Sequence, residues 1–338
     1  MTAPEAVDAA TFADPEAFRR DVVAHGRPVI MRGLCAAWPA AQAARASDAA
    51  LVQLLRDHAT PRRAQAFVGA PAIAGRYFYG DRVDQFNFDR AELNLAELLD
   101  KCLTSAGDPQ QPTYYMGSLP VEAFLHGFEQ DNGVHGLPAT ARPRIWIGNA
   151  SHVACHYDAF ENLACVVAGQ RRFTLYPPQA IPDMYVGPID QTMAGQPVSL
   201  AAGDPEHPER YPRFAQAQAL RMEAVLEPGD ALFIPKLWWH QVEAMAPFNV
   251  MINYWWDAFA TGPDAPMLAM LLSMITLAER PEHDRAAFRA FFDHFVFRQN
   301  GHPLTHLPED QRGVLRDLGA GGYGQIRAMI MQALRRGG

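Results

Sequence analysis

The sequence predicts a mainly β fold, a sandwich or barrel, with helices flanking it. Three observations lead there. Residues 220–226, 231–234, 239–245 and 249–255 are short β-forming runs spaced by turns. An earlier group at 113–117, 145–153, 163–167 and 173–176 has the same character, with Gly169 opening a turn and Pro177 ending a run. Beyond residue 260 the apolar spacing becomes helical.

Taken in order, Asp14 is an N-cap ahead of Pro15 and predicts a helix to about residue 24. Residues 28–32 read as a strand closed by Gly33. Ser47 caps a second helix through residue 56, and Asn94 caps a third over 95–102. Residues 64–68 and 76–79 alternate weakly, as antiparallel strands do. Residues 1–110 are thus expected to mix helices and strands against a barrel core at 111–260, with 261–338 helical. Residues 178–220 are rich in Pro, Gly and Asp, and a connection so long is functional or disordered. It is expected to be a lid or substrate platform. A helix over 264–278 carries Met267, Leu268, Leu271, Leu272 and Ile275 on one broad face. Pro281 opens another with Phe288, Phe291, Phe292 and Phe295, and shorter helices follow at 309–317 and 323–335. Such apolar excess suits either a homodimer interface or a cap on the barrel.

Composition narrows the classes. A chain of 338 residues accommodates one barrel with helical additions. The net charge of −8 argues against a general nucleic-acid surface, which needs basic excess. Four cysteines without a C-x-x-C pattern give no disulfide framework and no zinc knuckle. No basic start followed by an apolar core reads as a secretory signal, and no apolar run is long enough to span a bilayer, so a cytoplasmic protein is expected.

The chemistry centres on His156-Tyr157-Asp158 and on His240 within Trp238-Trp239-His240-Gln241-Val242. In a strand, residues i and i+2 share a face, so His156 and Asp158 point together, while Cys155 points the other way as packing. If the strand of His240 faces theirs across a barrel, two imidazoles and one carboxylate converge. That is the ligand set of non-haem Fe(II) oxygenases, with positions left open. The bland alternative is a hydrogen-bonded His–Asp pair near an unrelated core histidine. Neither a G-x-S-x-G nor a P-loop is present.

The run IWIGNASHVACHYDAFENLACVVAGQRRFTLYPP, then PGDALFIPKLWWHQVEA and INYWW, resembles the cupin-like JmjC oxygenases, among them the asparaginyl hydroxylase of hypoxia-inducible factor. The opening RPVIMRGLCAAWPA is similar as well. The resemblance implies a double-stranded β-helix (jelly-roll, cupin) barrel, Fe(II) held by His156, Asp158 and His240, and 2-oxoglutarate and O2 as cosubstrates. The family's lysine for the distal carboxylate falls at Arg171, whose guanidinium can offer two parallel hydrogen bonds instead. Its neighbour Arg172 is expected to be solvated on the other face. Tyr115 matches a tyrosine donating to the same carboxylate. The family's threonine falls at Val153, which cannot donate, leaving Ser151 to substitute. Asn162 and Asn253 match asparagines near the oxo acid and the iron, and Trp255 a tryptophan of the pocket wall. The implied activity is hydroxylation of a protein side chain or small-molecule C–H bond, with demethylation less favoured. The competing classes are a cupin with non-oxidative metal chemistry and a non-catalytic binding module.

Overall fold

The computed structural model describes residues 2–8, 14–193, 195–260, 262–316 and 318–336. The chain forms two units, Met1–Ala258 and Phe259–Gly338.

In the first unit, Asp14 accepts a hydrogen bond from the Glu16 backbone and starts helix α1 (Pro15–Asp21). The helix stops earlier than expected and passes into a 3-10 turn, Val23–His25. Strand β1 (Glu5–Asp8) lies parallel to β2 (Val29–Arg32). Helix α2 (Pro39–Ala46) was not expected, because Trp38 offers no side-chain cap and only Pro39 marks its start. Helix α3 (Asp48–His58) begins at Ser47, which caps it as the sequence implies. Strands β3 (Arg63–Gly69), β4 (Arg76–Tyr77) and β5 (Asp89–Asn94) follow. The polar β5 carries no strand pattern of its own and forms by pairing with β3. Asn94 and Glu97 make a reciprocal capping box for α4 (Leu95–Ser105). Strand β6 (Thr113–Pro120) and the short helix α5 (Val121–Phe124) lead to the barrel.

The barrel strands are β7 (Arg142–Gly148), β8 (Ser151–Tyr157), β9 (Glu161–Ala168), β10 (Arg171–Tyr176), β11 (Met222–Leu226), β12 (Ala231–Ile234), β13 (Trp239–Ala244) and β14 (Asn249–Trp256). One sheet has the order β1-β2-β12-β9-β14-β7-β6-β3-β5 and the other β11-β10-β13-β8-β4. This interleaving of two sheets is the expected double-stranded β-helix. Every residue of β9 is buried. Its Leu163, Cys165 and Val167 face the N-terminal helices, and Ala164 and Val166 face the barrel interior, so no polar alternation marks the strand. The turn after it needs Gly169 at φ +73, where a Cβ would lie 2.2 Å from Asn249 Oδ1.

Residues 178–220 are not the unstructured connection that their composition suggests. They hold a 3-10 helix at Pro178–Asp183, the short helices α6 (Leu200–Gly203) and α7 (Phe214–Ala219), and bridges joining Val186 to Ser199 and Val198 to His156. Small residues and proline hide these contacts from a periodicity reading.

The second unit contains α8 (Pro266–Leu277), α9 (Glu282–Phe295) and α10 (Tyr323–Arg336). Instead of a helix over 309–317 there are two 3-10 turns, Glu309–Gln311 and Gly313–Leu315, and Asp317 lies outside the described residues. Tyr323 and Arg327 both bond to Asp264. No helix among the described residues is long and apolar enough to cross a membrane.

Candidate metal centre

The strands carrying the two histidines do not face each other across the barrel, as the sequence reading had it. β8 and β13 are hydrogen-bonded neighbours in one sheet, with His156 directly opposite His240. Opposite residues of an antiparallel pair share a face, and the two ring centroids are 4.4 Å apart. The ladder slips between His240 and Val242, where β8 carries one extra residue. This bulge lets Val153 and His156, three positions apart, both line the cavity. Asp158 follows the end of β8, and its carbonyl accepts from the Leu237 backbone N–H at 2.8 Å. Leu237 sits at φ +66, a strained conformation in the turn that carries the chain into Trp238-Trp239-His240.

Ligand atoms of His156, Asp158 and His240 lie within 4.8 Å of one another. The remaining hydrogen bonds prepare them. His156 Nδ1 donates to Ala154 O at 2.8 Å, and His240 Nδ1 to Trp238 O at 3.0 Å. A carbonyl only accepts, so each Nδ1 carries the proton and each Nε2 keeps a lone pair for a metal. Burial, and next the neighbouring His156, hold the His240 imidazole down to about 4, so it is neutral near pH 7. Asp158 Oδ2 lies 3.5 Å from His240 Nε2 and accepts from Trp255 Nε1 at 3.1 Å and Asn162 Nδ2 at 3.3 Å. Behind it, Asn253 Nδ2 donates to Asn162 Oδ1 at 3.1 Å, and Trp146 Nε1 donates to Asn253 Oδ1 at 2.7 Å. A four-residue polar relay thus orients the carboxylate from inside an apolar wall. Two imidazoles and one carboxylate with one side open to a cavity suit Fe(II) or a related divalent ion.

The cavity encloses about 210 Å³. On the inner face of the five-stranded sheet its rows run from His156 and His240, through Val153, Val242 and Phe173, to Ser151, Ala244 and Arg171. Arg171 starts from the deepest row, is 2 % exposed and lines the cavity. Among the described residues it has no hydrogen bond and no ion pair, and its Nε is buried without a partner. Burial lowers its guanidinium to about 10, so it remains charged at neutral pH. Tyr115 also lines the cavity, and burial pushes its phenol up, well out of the physiological range.

Asn162, Asn253 and Trp255 line the cavity, and their polar groups bond to Asp158, to each other or to Trp146. Ser151 is buried in the same row as Arg171 and is not among the residues that line the cavity. Arg172 does face outward, yet it is paired with Glu243 at 2.5 Å and Glu223 at 3.5 Å instead of being free in solvent. His152 lies beside the same Glu243 at 3.7 Å and outside the cavity. Trp146, Phe67, Tyr77, Met193, Gln196 and Val198 were not foreseen as wall residues. A signal for Trp146 was available in the tight Gly117, whose Cβ would lie 2.4 Å from the indole.

Fold and site together define a double-stranded β-helix with a two-histidine, one-carboxylate pocket. The family model described as the cupin-like domain matches residues 15–262, and the chain belongs to that family. It is 34 % identical over 150 residues to human HSPB1-associated protein 1, a match covering 42 % of this chain and 30 % of that protein. It is 36 % identical over 115 residues to the lysine-specific demethylase JMJ31 of Arabidopsis thaliana, covering 34 % of this chain and 20 % of the relative. With the human bifunctional peptidase and (3S)-lysyl hydroxylase JMJD7 it shares 33 % over 131 residues, 33 % of this chain and 40 % of the relative. The matches thus span well under half the length of these curated relatives.

Proposed function

We propose that this chain is an Fe(II)- and 2-oxoglutarate-dependent oxygenase that hydroxylates a C–H bond of a protein side chain or small molecule. The observation carrying the reading is Arg171, a buried cation without a counter-ion, at the deep end of a cavity whose other end holds His156, Asp158 and His240. A dicarboxylate oxo acid supplies what each end lacks: chelating oxygens for the metal and an anion for the guanidinium. Bound iron and oxo acid supply oxygen activation coupled to loss of CO2 from the oxo acid.

The protein's own residues position and exclude. His156 and His240 present Nε2, and their Nδ1–H bonds to backbone carbonyls fix the rings. Trp255 and Asn162 hold one oxygen of Asp158. Arg171 and Tyr115 bind the distal carboxylate, and Phe173, Val242 and Val153 form a dry wall between the two ends. Met193, Gln196 and Val198 make segment 178–220 part of the substrate platform. Among the relatives one is named a hydroxylase and another a demethylase, and the hydroxylase reading is the one proposed for this chain. A non-oxidative cupin or a binding module leaves the isolated Arg171 without a purpose.

We also propose a homodimer through the C-terminal helices. Leu268 (55 % exposed), Ile275 (81 %) and Phe291 (64 %) present a large apolar surface on α8 and α9.

The test is succinate release from 2-oxoglutarate by protein loaded anaerobically with Fe(II) and then exposed to air. Wild type is expected to turn over and Asp158→Ala to be silent. A silent wild type, or undiminished turnover in the variant, removes the reading.

A further inference from the structure

The inner face of the nine-stranded sheet carries two arginines that the proposed chemistry does not use. Along β7, Ile145 and Ile147 pack in the outer core, so Arg142, Arg144 and Trp146 stand on the opposite face, where Trp146 lines the cavity and the two arginines lie outside its wall. Register places them: Arg142 is opposite Trp255, and Arg144 is opposite Asn253. Trp255 in turn is opposite Asn162, so Arg142 stands in the row whose N–H groups bond to Asp158. Arg144 is firmly seated. Its guanidinium stacks over Trp255, 5.7 Å from the ring centroid, and Nη1 donates to Ser118 O at 2.5 Å and to Ser118 Oγ at 3.0 Å. Ser118 holds φ +59 in the irregular stretch of β6, strain retained where it presents two acceptors to this one arginine. Neither arginine has an ion pair among the described residues, although the chain as a whole is −8. Among the described residues the cavity wall contains one carboxylate, Asp158.

Resting on the oxygenase reading, we propose that Arg142 and Arg144 dock two carboxylates of an acidic polypeptide substrate beside the metal end of the cavity. Residues i and i+2 of a strand are separated by roughly 6.5–7 Å. An extended peptide with acids at alternate positions has the same spacing and can pair both at once, which a small monoanion cannot. Nucleic acid is disfavoured because tracking a phosphate backbone needs a basic stripe, and here two cations stand in a net-negative chain. The acids fix the peptide's register and thereby which side chain enters the cavity.

The experiment uses full-length protein with Mn(II) and 2-oxoglutarate, whose own binding is measured first by calorimetry. Fluorescence anisotropy then follows three labelled probes: a peptide with a Glu-x-Glu centre, the same peptide with Gln-x-Gln, and a short single-stranded DNA. The acidic peptide is expected to bind about 100-fold tighter than its amide twin, with the gap closing as salt rises. Arg142→Gln and Arg144→Gln each lose about 10-fold, Arg144→Lys restores part of it, and the double variant no longer distinguishes the two peptides. Equal binding of the two peptides, binding by neither, tighter binding of DNA, or unchanged discrimination in the double variant overturns the proposal. Failure of metal and oxo acid to bind in the first step refutes the oxygenase reading itself.

Discussion

Arg171→Met separates a structural arginine from a ligand-binding one. Burial lowers the Arg171 guanidinium from its usual, far higher value to about 10. At roughly 1.4 kcal/mol per tenfold in proton affinity, that is a penalty of about 3 kcal/mol on the folded, ligand-free protein. The folded state binds this proton more weakly than the unfolded chain. The penalty is therefore in full force below pH 10 and lifts only as pH rises above it. Methionine has similar reach and no charge, and imperfect repacking returns about 1 kcal/mol of the gain. The ligand-free variant should thus be more stable than wild type by about 2 kcal/mol, read as a higher urea midpoint at pH 7. With Mn(II) and saturating 2-oxoglutarate that advantage should disappear. Charge-assisted hydrogen bonds are worth about 1.5–3 kcal/mol, so the variant should bind the oxo acid about 10- to 100-fold more weakly. Calorimetry on the same samples gives that number. A variant that is less stable without ligand and binds 2-oxoglutarate like wild type would show that Arg171 is a packing residue, and the reasoning would fail.

Three further outcomes are expected. Asn253→Ala cuts the relay between Trp146 and Asn162, leaving both partners unpaired, so Mn(II) affinity should fall about 10- to 100-fold with a stability loss of about 1–3 kcal/mol. Titration followed by electron paramagnetic resonance measures the first, and unchanged affinity would show that the relay does not orient Asp158. For the metal-free protein, the folded pKa of His240 near 4 lies below the usual 6.5, so the unfolded chain takes the proton first. Stability should fall as pH drops from 6.5 toward 4, and His240→Gln should flatten that slope in urea titrations. Finally, Ile275→Glu combined with Phe291→Glu should halve the mass measured by light scattering, and a wild type that is monomeric at high concentration would dispose of the homodimer.

Much of the site was legible because its chemistry is local. The His156–Asp158 pair needs only strand periodicity to share a face, and Asn94 with Glu97 announces a capping box wherever it stands. What failed was relational. β5 has no strand pattern of its own and forms because β3 pairs with it. The bulge in β8 shifts parity between Val153 and His156, and nothing in the residues themselves marks it. Trp146 looks like a core residue until Asn253 is placed beside its indole N–H.

The sequence alone determined which groups exist to do chemistry: two imidazoles, one acid, and an arginine at the start of a strand. It also determined the strand rhythm and the helix starts, since propensity, capping and alternation act over a few residues. Tertiary structure decided that His156 and His240 are ladder partners instead of facing across a barrel, and that Asp158 is held by a relay from the other sheet. It also decided that Arg171 ends up buried without an anion. The reason is that register, burial and hydrogen-bond partnership belong to pairs of strands far apart in the chain, and only packing brings those pairs together.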